Sequence, residues 1–197
     1  MDSLFNADLQ SQIAQLTKIV RQNEVLYDVI EKVSRVGLRD YYIGAGCIAQ
    51  TVWNYQTGLA LTNGISDIDL VYYDGSDLSY EAENAAIERI TCAIGSCALR
   101  LDIKNQARVH LWYKERFGYD IKPYDSVESA ISTWPAQASA VGVRLENEEL
   151  KIYAPFGLND IFGMIIRANK AQITEEIYMQ KVRKWSKKWP SLTIVPW

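Results

Sequence analysis

The fold prediction depends on residues 66–73, Ser66-Asp67-Ile68-Asp69-Leu70-Val71-Tyr72-Tyr73. Its apolar, β-branched and aromatic run predicts a β-strand. Side chains alternate between the two faces of a strand, so Asp67 and Asp69 share one face and the apolar residues next to them share the other. Two neighbouring carboxylates repel each other unless a positive charge lies between them. The simplest candidate for that charge is a divalent metal ion.

A second element lies upstream, where a predicted strand at residues 41–43 runs into Gly44-Ala45-Gly46-Cys47 and then into a predicted helix. A glycine turn at a helix N-terminus brings backbone N–H groups and the positive end of the helix dipole to one point, which suits a phosphate group. Mg²⁺ is usually held by one or two carboxylates together with substrate phosphates. The two elements together therefore predict a site for a metal-bound phosphate.

A third acid stands on the next predicted strand, residues 99–104, where Asp102 alternates with Arg100 and Lys104. Two-metal phosphoryl transfer uses ions that stabilise both the attacking and the leaving oxygen, and a further carboxylate would help to hold them. Asp102 is the best placed acid for that role. An ion pair with one of its basic neighbours is the alternative.

Length and composition indicate one ordinary globular domain, since the 197 residues are 48% hydrophobic and 23% charged. We predict a single domain over residues 1–197, with a helical lead-in at 1–37, a catalytic core at 38–155 and a C-terminal helical extension at 156–197. No stretch has the pattern of a signal peptide or a membrane span, so we expect a cytoplasmic protein without a membrane partner. The three cysteines form no paired motif, which argues against disulfides and a zinc site.

Charge is distributed unevenly along the chain. The net charge is −3. From Gly163 onward the chain has seven basic and two acidic residues, a charge of +5, so the first 162 residues carry −8. The basic segment either binds a polyanion or forms a solvated helix face. His110 is the only histidine in the sequence, so no histidine-based triad or multi-histidine metal site can form. We expect His110 to be a hydrogen-bonded packing residue.

These motifs resemble the DNA polymerase β-type nucleotidyltransferase superfamily. In that superfamily a helix begins with three residues: an apolar residue, then Gly, then either Gly or Ser. An Asp-apolar-Asp motif follows on a strand, and a separate third carboxylate comes after it. The corresponding residues here are Ala45-Gly46-Cys47, Asp67-Ile68-Asp69 and Asp102. With Thr51-Val52-Trp53 and the segments at 105–110 and 154–158, the chain is similar to a stand-alone, largely uncharacterised branch of that superfamily.

The resemblance implies an α+β fold, with a nucleotidyltransferase-like mixed β-sheet flanked by helices. It implies a Mg²⁺- or Mn²⁺-dependent enzyme that transfers a nucleoside monophosphate from an NTP to an acceptor hydroxyl and releases pyrophosphate. The expected catalytic and metal-binding residues are Asp67, Asp69 and Asp102, and the expected nucleotide-binding residues are Gly46, Cys47 and Ser66. The acceptor class stays open among a small molecule, an RNA and a protein, and so does the oligomeric state.

The chain departs from the superfamily pattern in two places. Cys47 stands where Ser or Gly is usual, so a hydroxyl contact to a phosphate would be lost while the backbone N–H contact remains. The gap between Cys47 and Asp67 is longer than usual, which predicts an extra loop at residues 58–64 beside the pocket.

Two other interpretations compete with the enzyme. One is a catalytically weak or inactive module of the same fold that binds nucleotide, RNA or a protein partner, and the basic tail and Cys47 support it. The other is a dinucleotide-binding fold, because Gly44-x-Gly46-x-x-Ala49 matches its fingerprint and an acid follows about 20 residues later. In that fold, however, the acid lies at the carboxyl end of the second strand, whereas the acids here begin an apolar run.

Overall fold

A five-stranded mixed sheet organises the computed structural model, which describes residues 4–197. Its strands are β1 (Tyr41–Gly44), β2 (Asp67–Tyr72), β3 (Arg100–Asn105), β4 (Gly142–Glu146) and β5 (Glu149–Tyr153). They lie in the order β3-β2-β1-β4-β5, with β2 and β3 parallel and the other neighbours antiparallel. The predicted α+β class is confirmed. The dinucleotide-binding interpretation is wrong, because that fold needs parallel strands where β1 and β2 are antiparallel.

Helices surround this sheet: α1 (Leu9–Gln22), α2 (Glu24–Ser34), α3 (Gly46–Thr57), α4 (Tyr80–Ile94), α5 (Val109–Phe117), α6 (Val127–Ile131), α7 (Asn159–Phe162) and α8 (Glu175–Lys188). Five of them begin at a side chain that accepts a hydrogen bond from the first turn, namely Asp8, Asn23, Ser79, Ser126 and Thr174. Such caps satisfy N–H groups that have no partner within the helix. Within residues 4–197, no helix is both long and apolar enough to span a membrane.

The apolar pattern of residues 158–166 predicts a helix after β5, but only part of this segment is helical. The helix α7 ends at Phe162, and Met164 adopts a left-handed φ of 52°, which turns the chain out of the helix. The chain then forms the short strand β6 (Ile165–Ile166), which pairs in parallel with β7 (Thr193–Ile194). The sequence also predicts a final strand at residues 192–195, and β7 confirms it, whereas the helix after β5 is shorter than predicted.

The two faces of the sheet are covered differently. One face belongs to the main hydrophobic core, which it shares with α1 to α4; its side chains on β1 and β2 are Tyr41, Ile43, Ile68, Leu70 and Tyr72. On the other face, α6 covers Tyr42 and Val71 in a smaller cluster. Because side chains alternate along β2, Asp67 and Asp69 lie on this second face. The acids therefore lie on the less completely covered side of the sheet.

A cluster of tryptophans attaches α8 to α3. Trp185 and Trp189 pack edge-on against Trp53, with ring centroids 5.2 and 5.5 Å apart. The Trp189 indole also donates a hydrogen bond to Asn54 Oδ1 at 2.8 Å. Large buried aromatic side chains contribute strongly to such packing. This contact holds the basic C-terminal helix beside the helix that begins at the glycine turn.

Candidate functional site

The three predicted carboxylates come from two adjacent parallel strands. The register of β2 and β3 places Asp69 beside Asp102 and Asp67 beside Arg100. Neighbouring strands are about 4.8 Å apart, so the side chains of Asp69 and Asp102 leave the sheet next to each other. On the other side of Asp69 lies Gly44 of β1, the first residue of the glycine turn. The fold therefore brings the turn and the three acids to one place.

A cavity of about 340 Å³ lies at this place. Among the predicted site residues, its walls include Gly46, Ser66, Asp67, Asp69 and Asp102. The volume falls in the range of small-molecule sites. The loop at residues 58–64 is not part of these walls; it lies against the end of α8, where Lys188 Nζ donates to the Gly64 carbonyl at 2.6 Å.

Basic side chains of β3 hold two of the three carboxylates. Arg100 Nη2 donates to Asp67 Oδ2 at 2.6 Å, and Lys104 Nζ pairs with Asp102 Oδ1. The bond to Asp67 raises the pKa of Arg100 above its ordinary value. For Asp102, the ion pair that was the alternative to a metal-binding role is present, and the carboxylate also lines the cavity, so its metal-binding role stays a prediction.

Asp69 is the acid without a paired cation. Among the residues that the structure describes, no ion pair joins it to a lysine or an arginine. Burial, followed by the charges of Asp67 and Asp102, raises the pKa of Asp69 to about 7, against the opposing effect of Lys181 and Lys104. A carboxyl shifted this far, at a cavity, is typical of a functional site.

The three carboxylates supply the type of ligand that a divalent metal ion needs, but two of them are already paired. Carboxylate oxygens are the ligands that Mg²⁺ prefers. Within residues 4–197, no group of three or more His, Cys, Asp and Glu side chains is arranged as a ready metal site, and Asp67 and Asp102 are engaged by Arg100 and Lys104. A divalent cation would stabilise the charged form of Asp69, which burial and then the charges of Asp67 and Asp102 disfavour. The donors fit Mg²⁺ if these two ion pairs open.

The turn that begins α3 is strained. Ala45 has φ 61° and ψ −134°, a conformation that residues other than glycine rarely adopt, and its side chain provides no helix cap. Ala45 N donates to the Val141 carbonyl at 3.0 Å, and a Cβ on Gly44 would lie 2.4 Å from that same oxygen. Contact with the segment before β4 therefore fixes the turn. Backbone strain at a cavity is typical of binding and catalytic sites.

Cys47 turns its side chain away from the cavity. The thiol is buried and donates to the Gly44 carbonyl at 2.9 Å. Burial raises the pKa of Cys47 well above its usual range, so the thiol stays neutral. Of the predicted contribution of Cys47 to nucleotide binding, only the backbone part is compatible with this position.

Two lysines of α8, Lys181 and Lys184, also line the cavity and were not predicted as site residues. Lys181 Nζ lies 4.6 Å from the ring centroid of Trp185. Burial lowers the pKa of Lys181, while the nearby Asp69 acts in the opposite direction. The sequence showed that this helix is basic but carried no signal for which lysines face inward. Lys184 is itself exposed, as are Arg183, Lys187 and Lys188, which do not line the cavity.

An aromatic wall completes the cavity, and its members are Trp112, Tyr113, Phe117, Tyr124, Trp134 and Trp185. The rings of Tyr113 and Phe117 are 4.4 Å apart, and the Tyr124 hydroxyl donates to Gln172 Oε1 at 3.0 Å. Aromatic faces suit planar groups such as nucleobases. With twelve tyrosines and six tryptophans in the sequence, no local pattern distinguished these residues from core aromatics.

Other candidates lie away from the cavity. The Nδ1 atom of His110 is buried and has no hydrogen-bond partner among the described residues, so the expectation of a hydrogen-bonded side chain is wrong for this atom. The three cysteines are free; Cys47 is buried, whereas Cys92 is exposed. Neither observation adds a catalytic group to the site.

Comparisons with known proteins agree with this fold. A solved NMR structure, described as revealing a CCA-adding enzyme head domain, matches with a TM-score of 0.75 at 24% sequence identity, covering 93% of this chain and 96% of that chain. This likeness is one of fold. No curated protein matches the chain. A family model described as nucleotidyltransferase matches residues 31–194. Because that match spans most of the sequence and includes the glycine turn and all three acids, the chain belongs to the nucleotidyltransferase family.

Proposed function

We propose that this nucleotidyltransferase is a metal-dependent enzyme that transfers a nucleoside monophosphate from an NTP to an acceptor hydroxyl and releases pyrophosphate. The register of β2 and β3 carries the proposal, because it places Asp69 beside Asp102 on the face that adjoins the glycine turn. Asp67 lies two residues before Asp69 on the same face. An acidic group next to a phosphate-binding turn is the arrangement that phosphoryl transfer requires.

The triphosphate would bind at the N-terminus of α3. Backbone N–H groups and the helix dipole attract its negative charge there, and Lys181 and Lys184 add positive charge from α8. Bound at Asp67, Asp69 and Asp102, Mg²⁺ would neutralise phosphate charge and increase the acidity of the acceptor hydroxyl. These groups position the NTP and stabilise the charge that develops in the transition state.

The bond changes in the proposed reaction are simple. The acceptor oxygen forms a bond to the α-phosphorus, and the bond from that phosphorus to the oxygen bridging the α- and β-phosphates breaks. The electron pair leaves with pyrophosphate. The acceptor proton passes to the Asp102 carboxylate, which requires that Asp102 first separate from Lys104. No covalent intermediate with the protein forms.

Incubation of the purified protein with Mg²⁺, cell extract and each NTP in turn, labelled at the α-phosphate, tests the proposal. We expect label in an RNA, a protein or a small-molecule fraction, with release of pyrophosphate. Asp67→Asn should abolish this label. Asp28→Asn, which alters an exposed ion pair with Lys32 on α2, is the matched control and should leave it unchanged. A wild-type protein that neither binds any of the four NTPs saturably nor labels any fraction would overturn the proposal.

The ion pairs of Asp67 and Asp102 favour a second function, a module that binds nucleotide without transferring it. Its expected signature is saturable NTP binding without labelled product. If the exposed basic face of α8 binds RNA in such a module, the affinity should fall steeply with added salt. Label transfer that Asp67→Asn abolishes would exclude this second function.

A further inference from the structure

Gln50 lies one turn into α3 and lines the cavity. Side chains on a helix point back toward its N-terminus, so the Gln50 carboxamide covers the residue one turn earlier, Gly46. A Cβ on Gly46 would lie only 2.7 Å from Gln50 Nε2. The carboxamide nitrogen is therefore held directly against the turn at which the triphosphate is proposed to bind.

The Gln50 carboxamide is nearly enclosed and yet not satisfied. The residue is 9% exposed, and its Oε1 is buried without a hydrogen-bond partner among the described residues. Buried polar atoms without a partner are unfavourable, so those that proteins keep need an explanation. An apolar side chain of the same length would fill this space without that penalty.

Asn54, one turn further along α3, shows how a structural amide is accommodated in the same helix. Its Nδ2 donates to the carbonyls of Leu61 and Asn63 at 3.0 and 2.8 Å, and its Oδ1 accepts from Trp189 at 2.8 Å. Asn54 is fully buried in the core, whereas Gln50 lies at the cavity. The contrast indicates that the partner of Gln50 comes from outside the protein.

We propose that Gln50 is a nucleotide-binding residue. Its Nε2, which lies against the turn, donates a hydrogen bond to a phosphate oxygen of the NTP, and its buried Oε1, which can only accept, receives one from a hydroxyl group or a water molecule that binds together with the NTP. This assignment rests on the proposed function and deepens it, because it adds a neutral donor to a phosphate site otherwise formed by backbone N–H groups, Lys181 and Lys184. Hydrogen bonds from a fixed donor to a charged oxygen are strong and directional. Gln50 therefore orients the triphosphate, while the lysines attract it by charge.

Two substitutions test the assignment. Gln50→Met keeps the length of the side chain and removes both polar ends, so it should weaken binding of the NTP by about tenfold or more. The ligand-free melting temperature should stay the same or rise, because an unsatisfied buried amide is lost. Gln50→Glu keeps the shape but adds a negative charge, and should weaken binding by about a hundredfold or more. The measurement is calorimetric titration, with Mg²⁺, of the NTP that the wild type binds most tightly and of inorganic triphosphate.

Gln56→Met provides the matched control on the same helix. Gln56 lies near the end of α3 away from the cavity, where its Nε2 donates to the Phe162 carbonyl at 2.8 Å. This variant should lower the melting temperature and leave NTP affinity unchanged. The same pattern in Gln50→Met would show a merely structural role and overturn the assignment.

The outcomes for the two proposals can be told apart. Wild-type protein that binds neither an NTP nor inorganic triphosphate would overturn the proposed function and this assignment with it. If the wild type binds and both Gln50 variants bind with a dissociation constant within about twofold of it, the assignment alone would be overturned. A twofold change in affinity is smaller than the loss of a charged hydrogen bond would cause.

Discussion

Two charged clusters flank β3, and they differ in how completely their charges are balanced. In the first, Glu83 of α4 pairs with Arg108, and the two side chains are only 13% and 11% exposed. Arg108 Nε also donates to the Leu78 carbonyl, and Glu83 Oε1 accepts from Asn105 N, both at 2.9 Å. Every charged group in this cluster has partners. From the sequence alone, Glu83 and Glu88 are interpreted as ordinary surface acids of their helix, and for Glu83 that interpretation is wrong.

The second cluster is the acidic wall of the cavity. Here the Asp67 and Asp102 side chains are 33% and 29% exposed, and Asp69 has no paired cation among the described residues. The two clusters therefore use charge for different purposes, one for stability and one for binding. A closed ion pair holds α4 and the end of β3 together, whereas an unbalanced acidic group makes the folded state less stable and is available to bind a cation. Loss of the first should affect stability, and loss of the second should affect activity.

The largest expected effect is on catalysis. Asp69→Asn keeps the shape of the side chain and removes the charge at the centre of the acidic group. We expect label transfer to fall by about 10³-fold or more, because charge stabilisation in phosphoryl transfer amounts to several kcal/mol. Steady-state kcat/KM, with circular dichroism as a check of folding, measures this effect. A variant whose kcat/KM stays within about tenfold of the wild type would contradict a central role for the Asp69 charge, because the loss of one ordinary hydrogen bond could explain so small a change.

The next effect is on stability, in the closed pair. Glu83→Ala leaves Arg108 without its partner and should lower the free energy of unfolding by about 3–5 kcal/mol. Transfer per folded molecule should be unchanged. Replacing both residues with methionine should restore most of the lost stability, because no unpaired charge remains. Urea unfolding of the single and double variants measures this, and a double variant no more stable than Glu83→Ala would argue against the ion pair as the cause.

The acidic group should also make stability depend on pH. The pKa of Asp69 is about 7 in the folded protein, against an ordinary value of 3.8. Between these values the folded state binds more protons than the unfolded state, so rising pH favours unfolding. Without metal, stability should fall by about 2–4 kcal/mol from pH 4 to pH 8 on account of this group.

Urea unfolding across that pH range, in wild type and in Asp69→Asn, isolates the contribution of Asp69. The variant should lack this part of the slope, and added Mg²⁺ should flatten the slope of the wild type. Identical slopes in the two proteins would show that Asp69 is not the group responsible.

The smallest effect concerns the strained turn. Ala45→Gly should stabilise the protein by about 1 kcal/mol, because glycine adopts the positive φ of this residue without strain. The greater conformational freedom of glycine in the unfolded chain offsets part of this gain. Ala86→Gly within α4 is the contrasting control and should destabilise by about 1 kcal/mol. Chemical denaturation of both variants measures the difference. A destabilised Ala45→Gly protein would show that the turn is not strained.

Much of the fold followed from local patterns. The alternation in residues 66–73 predicted both the strand and the shared face of its acids, because that alternation is a property of the extended backbone itself. The sequence offers Asp77 or Ser79 and also Thr174 as N-cap residues, and the structure shows that Ser79 and Thr174 cap α4 and α8. The sequence also predicts a β-hairpin from residues 141–145 and 150–153, and β4 and β5 form it.

By itself, then, the sequence determined which acids share a strand face and that a glycine turn at a helix N-terminus precedes them. Only the tertiary structure decided that Asp69 lies beside Asp102, that Lys181 approaches them from α8, and that Gln50 points into the same cavity. The physical reason is that strand register and helix packing join segments far apart in the chain. The balance of charge in the cavity depends on those contacts and not on any local pattern.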